Sequence, residues 1–188
     1  MEKNQYEIDR NYLREAYKYG SKNSHDPIHQ LGALIVSDNN KFNPDNILVF
    51  GANRFPKKVK KTEERLNEKN DKLRYIEHAE RDAIFTAVFD LELKLKDTIM
   101  YCPWITCSNC ARTIERSGIK EVIGHTGPDK FYNEINKDKI ATGERKNIWL
   151  EDIEAGINIL KESGINIRFY DGPIGDVKLI FARYLYAP

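Results

Sequence analysis

Four side chains in this 188-residue chain are the best suited to chemistry: His78, Glu80, Cys107 and Cys110. His78, Ala79 and Glu80 open a segment in which Ala79, Ala83, Ile84, Ala87, Val88 and Leu91 recur at helical spacing. Cys107 and Cys110 stand at the start of a second expected helix, from about Ser108 to Ser117, and one expected strand, from about Thr98 to Pro103, separates the two. A neutral imidazole and two thiolates suit zinc, and three protein ligands leave the fourth tetrahedral position to water, as in a catalytic site. The Cys-x-x-Cys spacing lets both sulfurs reach one ion from a single turn, and the partial positive charge of a helix N-terminus favours thiolate over thiol. Glu80, two residues beyond the imidazole, can lean toward an activated water without binding the metal, take a proton and hand it to a leaving group.

Each half of this set has blander readings. A Cys-x-x-Cys pair also fits a redox site or half of a structural zinc ribbon, and a lone buried histidine is more often structural than a ligand. A ribbon needs a second cysteine pair, and the only other cysteine is Cys102. A thioredoxin-like site leaves His78 and Glu80 without a role. Together, in this order, the residues match the His-x-Glu plus Cys-x-x-Cys signature of zinc nucleobase deaminases.

The elements that must position these residues follow from pattern. Residues 9 to 20 predict a first helix, capped by Asp9, with Tyr12, Leu13, Ala16 and Tyr17 on one face and Gly20 at its end. Leu31 to Val36 and Ile47 to Gly51 read as strands joined through a Pro-Asp-Asn turn, hence a hairpin. Residues 56 to 76 predict a solvated insertion with a helical piece, and Thr126 to Asn147 a polar loop. A strand through Val122 and Ile123 precedes that loop. A helix with Leu150, Ile153, Ile157 and Leu160 on one side follows it, then a strand at INIRFY. The final VKLIFARYLY fits a strand or a short helix. Strands alternating with helices predict an α/β domain with helices covering a mixed sheet, here as one domain over 1–188.

Composition narrows the function class. The chain is 40% hydrophobic with twenty aromatic residues (Tyr 10, Phe 8, Trp 2), enough for a packed core. A net charge of +1 argues against a protein that grips long nucleic acid, although Lys57, Lys58, Lys60 and Lys61 form a local basic patch. The polar N-terminal segment and the lack of a long apolar run predict a soluble, cytoplasmic protein with no membrane partner.

At this point the chain resembles the deoxycytidylate deaminase family of the cytidine deaminase superfamily, from about Asp9 to Asp171. HAERDAI at 78–84 resembles the family's His-Ala-Glu-x-Asn-Ala-Ile, with Asp82 in place of Asn. CSNCARTIERSGIKEVI from Cys107 to Ile123, SHDPIHQLGALIV at 24–36 and GANRFPKKV at 51–59 are similar to its other segments. The resemblance implies a three-layer α/β/α fold around a central five-stranded mixed sheet. It implies His78, Cys107 and Cys110 as zinc ligands, Glu80 as proton shuttle, and Asn53 as a hydrogen-bond partner of the substrate sugar. Backbone around Pro103 and Trp104 would line the base pocket. The implied reaction is hydrolysis of deoxycytidine monophosphate to deoxyuridine monophosphate and ammonia, by a homo-oligomer, dimer or hexamer, with a small nucleotide as partner.

Departures mark where the substrate question lies. Thr106 replaces the proline that normally precedes the first cysteine, Arg54 and Lys58 replace glycines, and Ala52 replaces tyrosine. Arg54 has the donor fork of a phosphate clamp, but it could equally block the nucleotide or face solvent. No Cys or His lies in 56–76, so the second zinc of some relatives is not expected, and nothing marks an effector site for a triphosphate. His25 and His29 read as structural or solvent-facing, with contact to a substrate phosphate as the alternative, and His125 as a strand-edge residue. Cys102 reads as a small buried apolar residue, Arg81 equally as a surface ion-pair partner or a contact to a neighbouring subunit or a phosphate, and Tyr132 as a loop aromatic that could close over a base. The alternatives are deamination of another base (a modified cytosine, a guanine-type base or a base within RNA) and a zinc-binding module without catalysis.

Overall fold

The structure is a computed structural model that describes residues 3–66, 72–141 and 148–188. Residues 67–71 of the expected insertion and 142–147 of the expected loop lie outside the described residues, as does the side chain of Leu150. Helix α1 (Lys3–Asn23) leads into β1 (Gly32–Val36), which returns through a 3-10 turn at Pro44–Asn46 as β2 (Ile47–Ala52). Two single helical turns, α2 (Glu63–Leu66) and α3 (Lys72–Tyr75), precede α4 (Ala79–Phe85) and a π turn at Thr86–Asp90. Then come β3 (Ile99–Tyr101), α5 (Ser108–Ser117), β4 (Glu121–His125), α6 (Gly127–Ala141), α7 (Ile148–Glu162) and β5 (Asn166–Tyr170). A short hairpin of β6 (Leu179–Phe181) and β7 (Tyr184–Tyr186) completes the order.

Five strands form one mixed sheet in the order β2-β1-β3-β4-β5. β1 pairs antiparallel with β2 and β3, while β3, β4 and β5 run parallel. Strand side chains alternate between faces, and the core divides accordingly. Ala33, Ile35, Met100, Cys102 and Val122 point to a layer of α4, α5 and α7, where they meet Ala83, Ala111, Ile114 and Leu160. Leu34, Val36, Ile99, Tyr101 and Ile123 point the other way, onto Ile8, Tyr12, Leu13 and Tyr17 of α1 and Tyr132 of α6. The result is the expected three-layer α/β/α arrangement. Among the described residues no helix is long and apolar enough to cross a membrane.

Four elements differ from the sequence reading. Helix α1 runs from Lys3 to Asn23, so Asp9 lies inside it, buried and paired with Arg168 rather than capping it, and Gly20 does not end it. The helix expected to run to Leu91 stops its α-pattern at Phe85 and widens, with Leu91 N–H donating to the Thr86 carbonyl at 3.1 Å. The wider turn rotates later side chains off the sheet, so Ala87 stays buried while Phe89 is 76% exposed. The polar stretch from Thr126 is helix α6 rather than loop. Among its described side chains Tyr132 packs on Trp104 and Phe131 on Tyr186, and its sequence is otherwise dominated by Lys, Asp, Asn and Glu. The last segment, open between strand and helix, forms the β6–β7 hairpin.

His125 has a structural role and a defined tautomer. The Gly172 carbonyl can only accept, so Nε2 at 2.9 Å carries the proton, and Nδ1 accepts from the Tyr17 hydroxyl at 2.8 Å. This pair of hydrogen bonds ties α1 to the end of β4 and to the loop after β5.

Candidate active site

The site is built where α4 and α5 begin on the same face of the sheet. Gly51 lets α4 reach β2, because a Cβ there would lie 2.1 Å from the Ala79 carbonyl oxygen and 2.4 Å from the Ala83 nitrogen. The chain after β2 is then sewn to the start of α4. Arg54 and Glu77 exchange backbone hydrogen bonds at 3.1 and 2.9 Å. Asn53 Oδ1 accepts from Ala79 N–H at 3.0 Å, satisfying one of the donors that a helix start leaves open. Asp82 accepts from Ala52 N–H at 2.9 Å and from Arg54 Nε at 2.8 Å.

His78 is the N-cap residue of α4 and Cys107 that of α5, with Cys110 one turn inside α5. His78 Nδ1 lies 3.5 Å from Cys107 Sγ and 3.6 Å from Cys110 Sγ, and the three atoms fall within 4.8 Å of one another. Ligand bonds of about 2.0 Å to nitrogen and about 2.3 Å to sulfur, at a tetrahedral angle, put N and S roughly 3.5 Å apart. The donor set therefore fits zinc in both chemistry and spacing. α7 supports it from behind: Gly156 has no Cβ, and one built there would sit 2.3 Å from the Thr106 carbonyl oxygen and 3.0 Å from the Cys107 carbonyl carbon.

Electrostatics within the cluster are strong. Burial lowers the His78 pKa, but its hydrogen bond to Cys107 and the nearby Glu80 outweigh that and bring it to about 9. Cys107 is brought down to about 4 by hydrogen bonding from Cys110 and His78, against the opposing effect of burial. Cys107 is thus poised as the thiolate a metal requires. Glu80 is only 6% exposed, and burial raises its carboxyl pKa while His78 pulls the other way. The Cys102 thiol hydrogen-bonds Glu80, and Cys102 Sγ is also 3.1 Å from the Trp104 carbonyl oxygen.

These groups line a cavity of about 260 Å³. His78, Glu80, Cys102 and Cys107 contribute its reactive part, and Asn53, Trp104, Ile105, Tyr132 and Ile153 contribute walls. Trp104 is held by donating its indole N–H to Asp129 at 2.7 Å. It packs against His29, Tyr132 and Phe181 at ring distances of 5.5, 5.7 and 4.9 Å. His29 lines the cavity too, and burial lowers its pKa to about 4, so it is neutral at pH 7.

Most of the residues read from the sequence converge here. His78, Glu80, Cys107, Asn53, Trp104 and Tyr132 line the cavity, and Cys110 completes the ligand triad. Asn53 is already engaged, because Nδ2 donates to the His29 carbonyl at 2.9 Å as well as Oδ1 accepting from Ala79. Each atom keeps capacity for one further hydrogen bond. Pro103 does not line the cavity, and its carbonyl accepts from His125 N–H at 3.1 Å. Arg54 lines a separate cleft with Lys22, His25, Lys57 and Lys61, and its guanidinium is held by Asp82. Arg81 pairs with Glu77 at 3.0 Å.

Sequence reasoning did not single out Asp26, Lys72, Asn136, Arg183 or Tyr184, all of which line the cavity. Lys72 and Asp26 form a buried ion pair at 2.8 Å, with side chains 3% and 5% exposed. Nothing in its charged neighbourhood distinguishes Lys72 from the lysines around it. The hairpin residues reach the cavity only through tertiary packing.

Comparison with known proteins agrees with this geometry. Residues 6–126 match the family described as the cytidine and deoxycytidylate deaminase zinc-binding region. A probable deoxycytidylate deaminase of Drosophila melanogaster is 30% identical over 122 residues, covering 60% of this chain and 56% of that protein. Deoxycytidylate deaminase of Homo sapiens is 34% identical over 120 residues, covering 60% and 61%. The chain thus spans about three fifths of the length of these relatives. The fold is shared with dCMP deaminase from the cyanophage S-TIM5, solved in complex with dCMP and dUMP, at a TM-score of 0.61 and 19% identity over 87% of this chain and 96% of that one. By its matched segment, its ligand triad and its sheet, the chain belongs to the family that carries the cytidine and deoxycytidylate deaminase zinc-binding region.

Proposed function

We propose that this chain is a single deaminase domain that hydrolyses deoxycytidine monophosphate to deoxyuridine monophosphate and ammonia. The observation that carries the reading is the buried Glu80 carboxylate beside the His78–Cys107–Cys110 triad in one cavity. The names of the relatives support the choice of substrate.

His78, Cys107 and Cys110 would hold the zinc ion. When bound, zinc supplies Lewis acidity that makes water a competent nucleophile near neutral pH. Glu80 takes a proton from the attacking water and delivers it to the departing amino nitrogen, so it ends the cycle as it began. A C–O bond forms at C4 of the base as the C–N bond breaks. Of the water's two protons, one leaves in ammonia and the other ends on N3 of the uracil. Burial keeps the Glu80 proton affinity above that of an exposed carboxylate, which suits a group that must both accept and donate. Trp104, Ile105 and Tyr132 supply an apolar wall for a flat base, and Asn53 offers its remaining hydrogen-bond capacity to the sugar.

The surface supports self-association. Phe85, Val88, Phe89 and Leu91 are exposed around the π turn, an apolar cluster suited to contact with a second copy. The three cysteines form no disulfide, and a site that needs thiolates suits a reducing compartment such as the cytoplasm.

The deciding experiment is ammonia release from a panel of dCMP, CMP, deoxycytidine, guanine and adenine compounds. Turnover of dCMP above the others is expected. Inactivity with dCMP alongside activity elsewhere would replace the substrate.

A further inference from the structure

The cavity has a second set of polar residues, on its hairpin side. Lys72 pairs with Asp26, which also accepts from the backbone N–H groups of Ile28 and His29, at 2.8 and 3.2 Å. Arg183 differs in origin and exposure. It lies at the turn of the β6–β7 hairpin, beyond the segment matched to the family, and is exposed at the cavity lining.

The hairpin is fixed to the cavity rather than merely near it. Gln30 N–H donates to the Ile180 carbonyl at 2.9 Å, and Ile180 N–H donates back to Gln30 Oε1 at 2.8 Å. Ala182 N–H donates to His29 Nδ1 at 3.4 Å, and Arg183 N–H to the Ile28 carbonyl at 3.4 Å. Phe181 is fully buried and packs its ring on both His29 and Trp104. The two turn residues take left-handed backbone conformations, φ 51 at Ala182 and φ 74 at Arg183, although neither is Gly or Asn. A two-residue hairpin turn of this kind favours Asn-Gly. A position kept in that conformation with a long cationic side chain invites a functional explanation.

We propose that Arg183 is the residue that selects a phosphorylated substrate, by pairing its guanidinium with the 5′-phosphate of the nucleotide. The inference rests on the reading of the chain as a nucleotide deaminase. The fork of guanidinium donors matches a phosphate in geometry and charge. Arg54, the cation the sequence suggested for this task, is turned into a different cleft and bound by Asp82. Lys72 lines the same cavity, its positive charge shared with Asp26.

Arg183→Asn tests this without straining the turn, since Asn tolerates the left-handed backbone. The ratio of kcat/KM for dCMP to that for deoxycytidine is expected to fall at least tenfold, chiefly through KM for dCMP. Binding of dUMP, measured by calorimetry, should weaken to a similar degree, and Arg183→Lys should recover part of both losses. An active wild type whose preference for dCMP over deoxycytidine survives Arg183→Asn, with unchanged dUMP affinity, would overturn the assignment alone. A wild type that neither turns over dCMP nor binds dUMP would overturn the functional reading and the assignment with it.

Discussion

Arg54 and Asp82 touch one another between the end of β2 and α4: Arg54 Nε lies 2.8 Å from the Asp82 carboxylate. Asp82 is the acceptor for the Arg54 guanidinium, and its second interaction, with Ala52 N–H at 2.9 Å, ties the end of β2 to α4. The pair therefore stabilises the start of the helix that carries His78 and Glu80.

That pairing predicts coupled effects on stability. Asp82→Ala should cost roughly 2 to 4 kcal/mol, since it leaves the Ala52 N–H and a partly buried guanidinium without their acceptor. Asp82→Asn combined with Arg54→Gly should cost less than the sum of the two single changes. Urea denaturation of the four proteins in a double-mutant cycle checks this, and strict additivity would show that the residues do not act together.

Glu80→Gln should lower kcat by about a hundredfold or more, the range expected for loss of a general acid–base group. Zinc content measured on the same preparation should stay at the wild-type level, because Glu80 lies outside the ligand triad. Loss of metal together with activity would instead make Glu80 a structural support of the ligands.

Metal binding should be linked to folding. A chelator is expected to lower the thermal midpoint and zinc to restore it, with stabilisation of about 4 kcal/mol when free zinc is a thousandfold above its dissociation constant. Gly156→Ala should weaken zinc affinity in a competition titration. Its new Cβ would press on the carbonyl of Thr106 and the backbone of Cys107, and either that segment or α7 must shift. Unaltered affinity would mean that α7 absorbs the strain by itself.

Acidification should destabilise the fold through two histidines. Burial lowers both His29 and His125 to about 4, against an ordinary value near 6.5. The unfolded chain therefore binds more protons than the folded one between those values. The contribution is fully present above about pH 6.5 and is lost as pH falls toward 4, by roughly 2 kcal/mol per histidine at pH 5. The urea midpoint should drop between pH 7 and 5, and His125→Gln should flatten that dependence. A midpoint independent of pH over this range would contradict the buried neutral state of both rings.

Much of the chemistry was legible in the residues themselves. The two N-cap ligands, the Cys-x-x-Cys spacing and the carboxylate two residues beyond the histidine are local patterns, and α4, α5 and the strands of the sheet announce themselves by periodicity. α6 was hidden because its sequence is dominated by Lys, Asp, Asn and Glu, and the π turn because a change of helical register leaves no compositional mark.

By itself, the sequence picked out the candidate metal-binding and proton-transfer set and the alternation of elements, because both depend on spacing along one stretch of chain. Tertiary structure alone decided what surrounds that set. It put Cys102 against Glu80, buried Lys72 on Asp26, turned Arg54 toward Asp82 and brought Arg183 to the cavity from residues far along the chain. Those contacts join segments remote in sequence, and their partners are chosen by packing across the sheet, which no local pattern encodes.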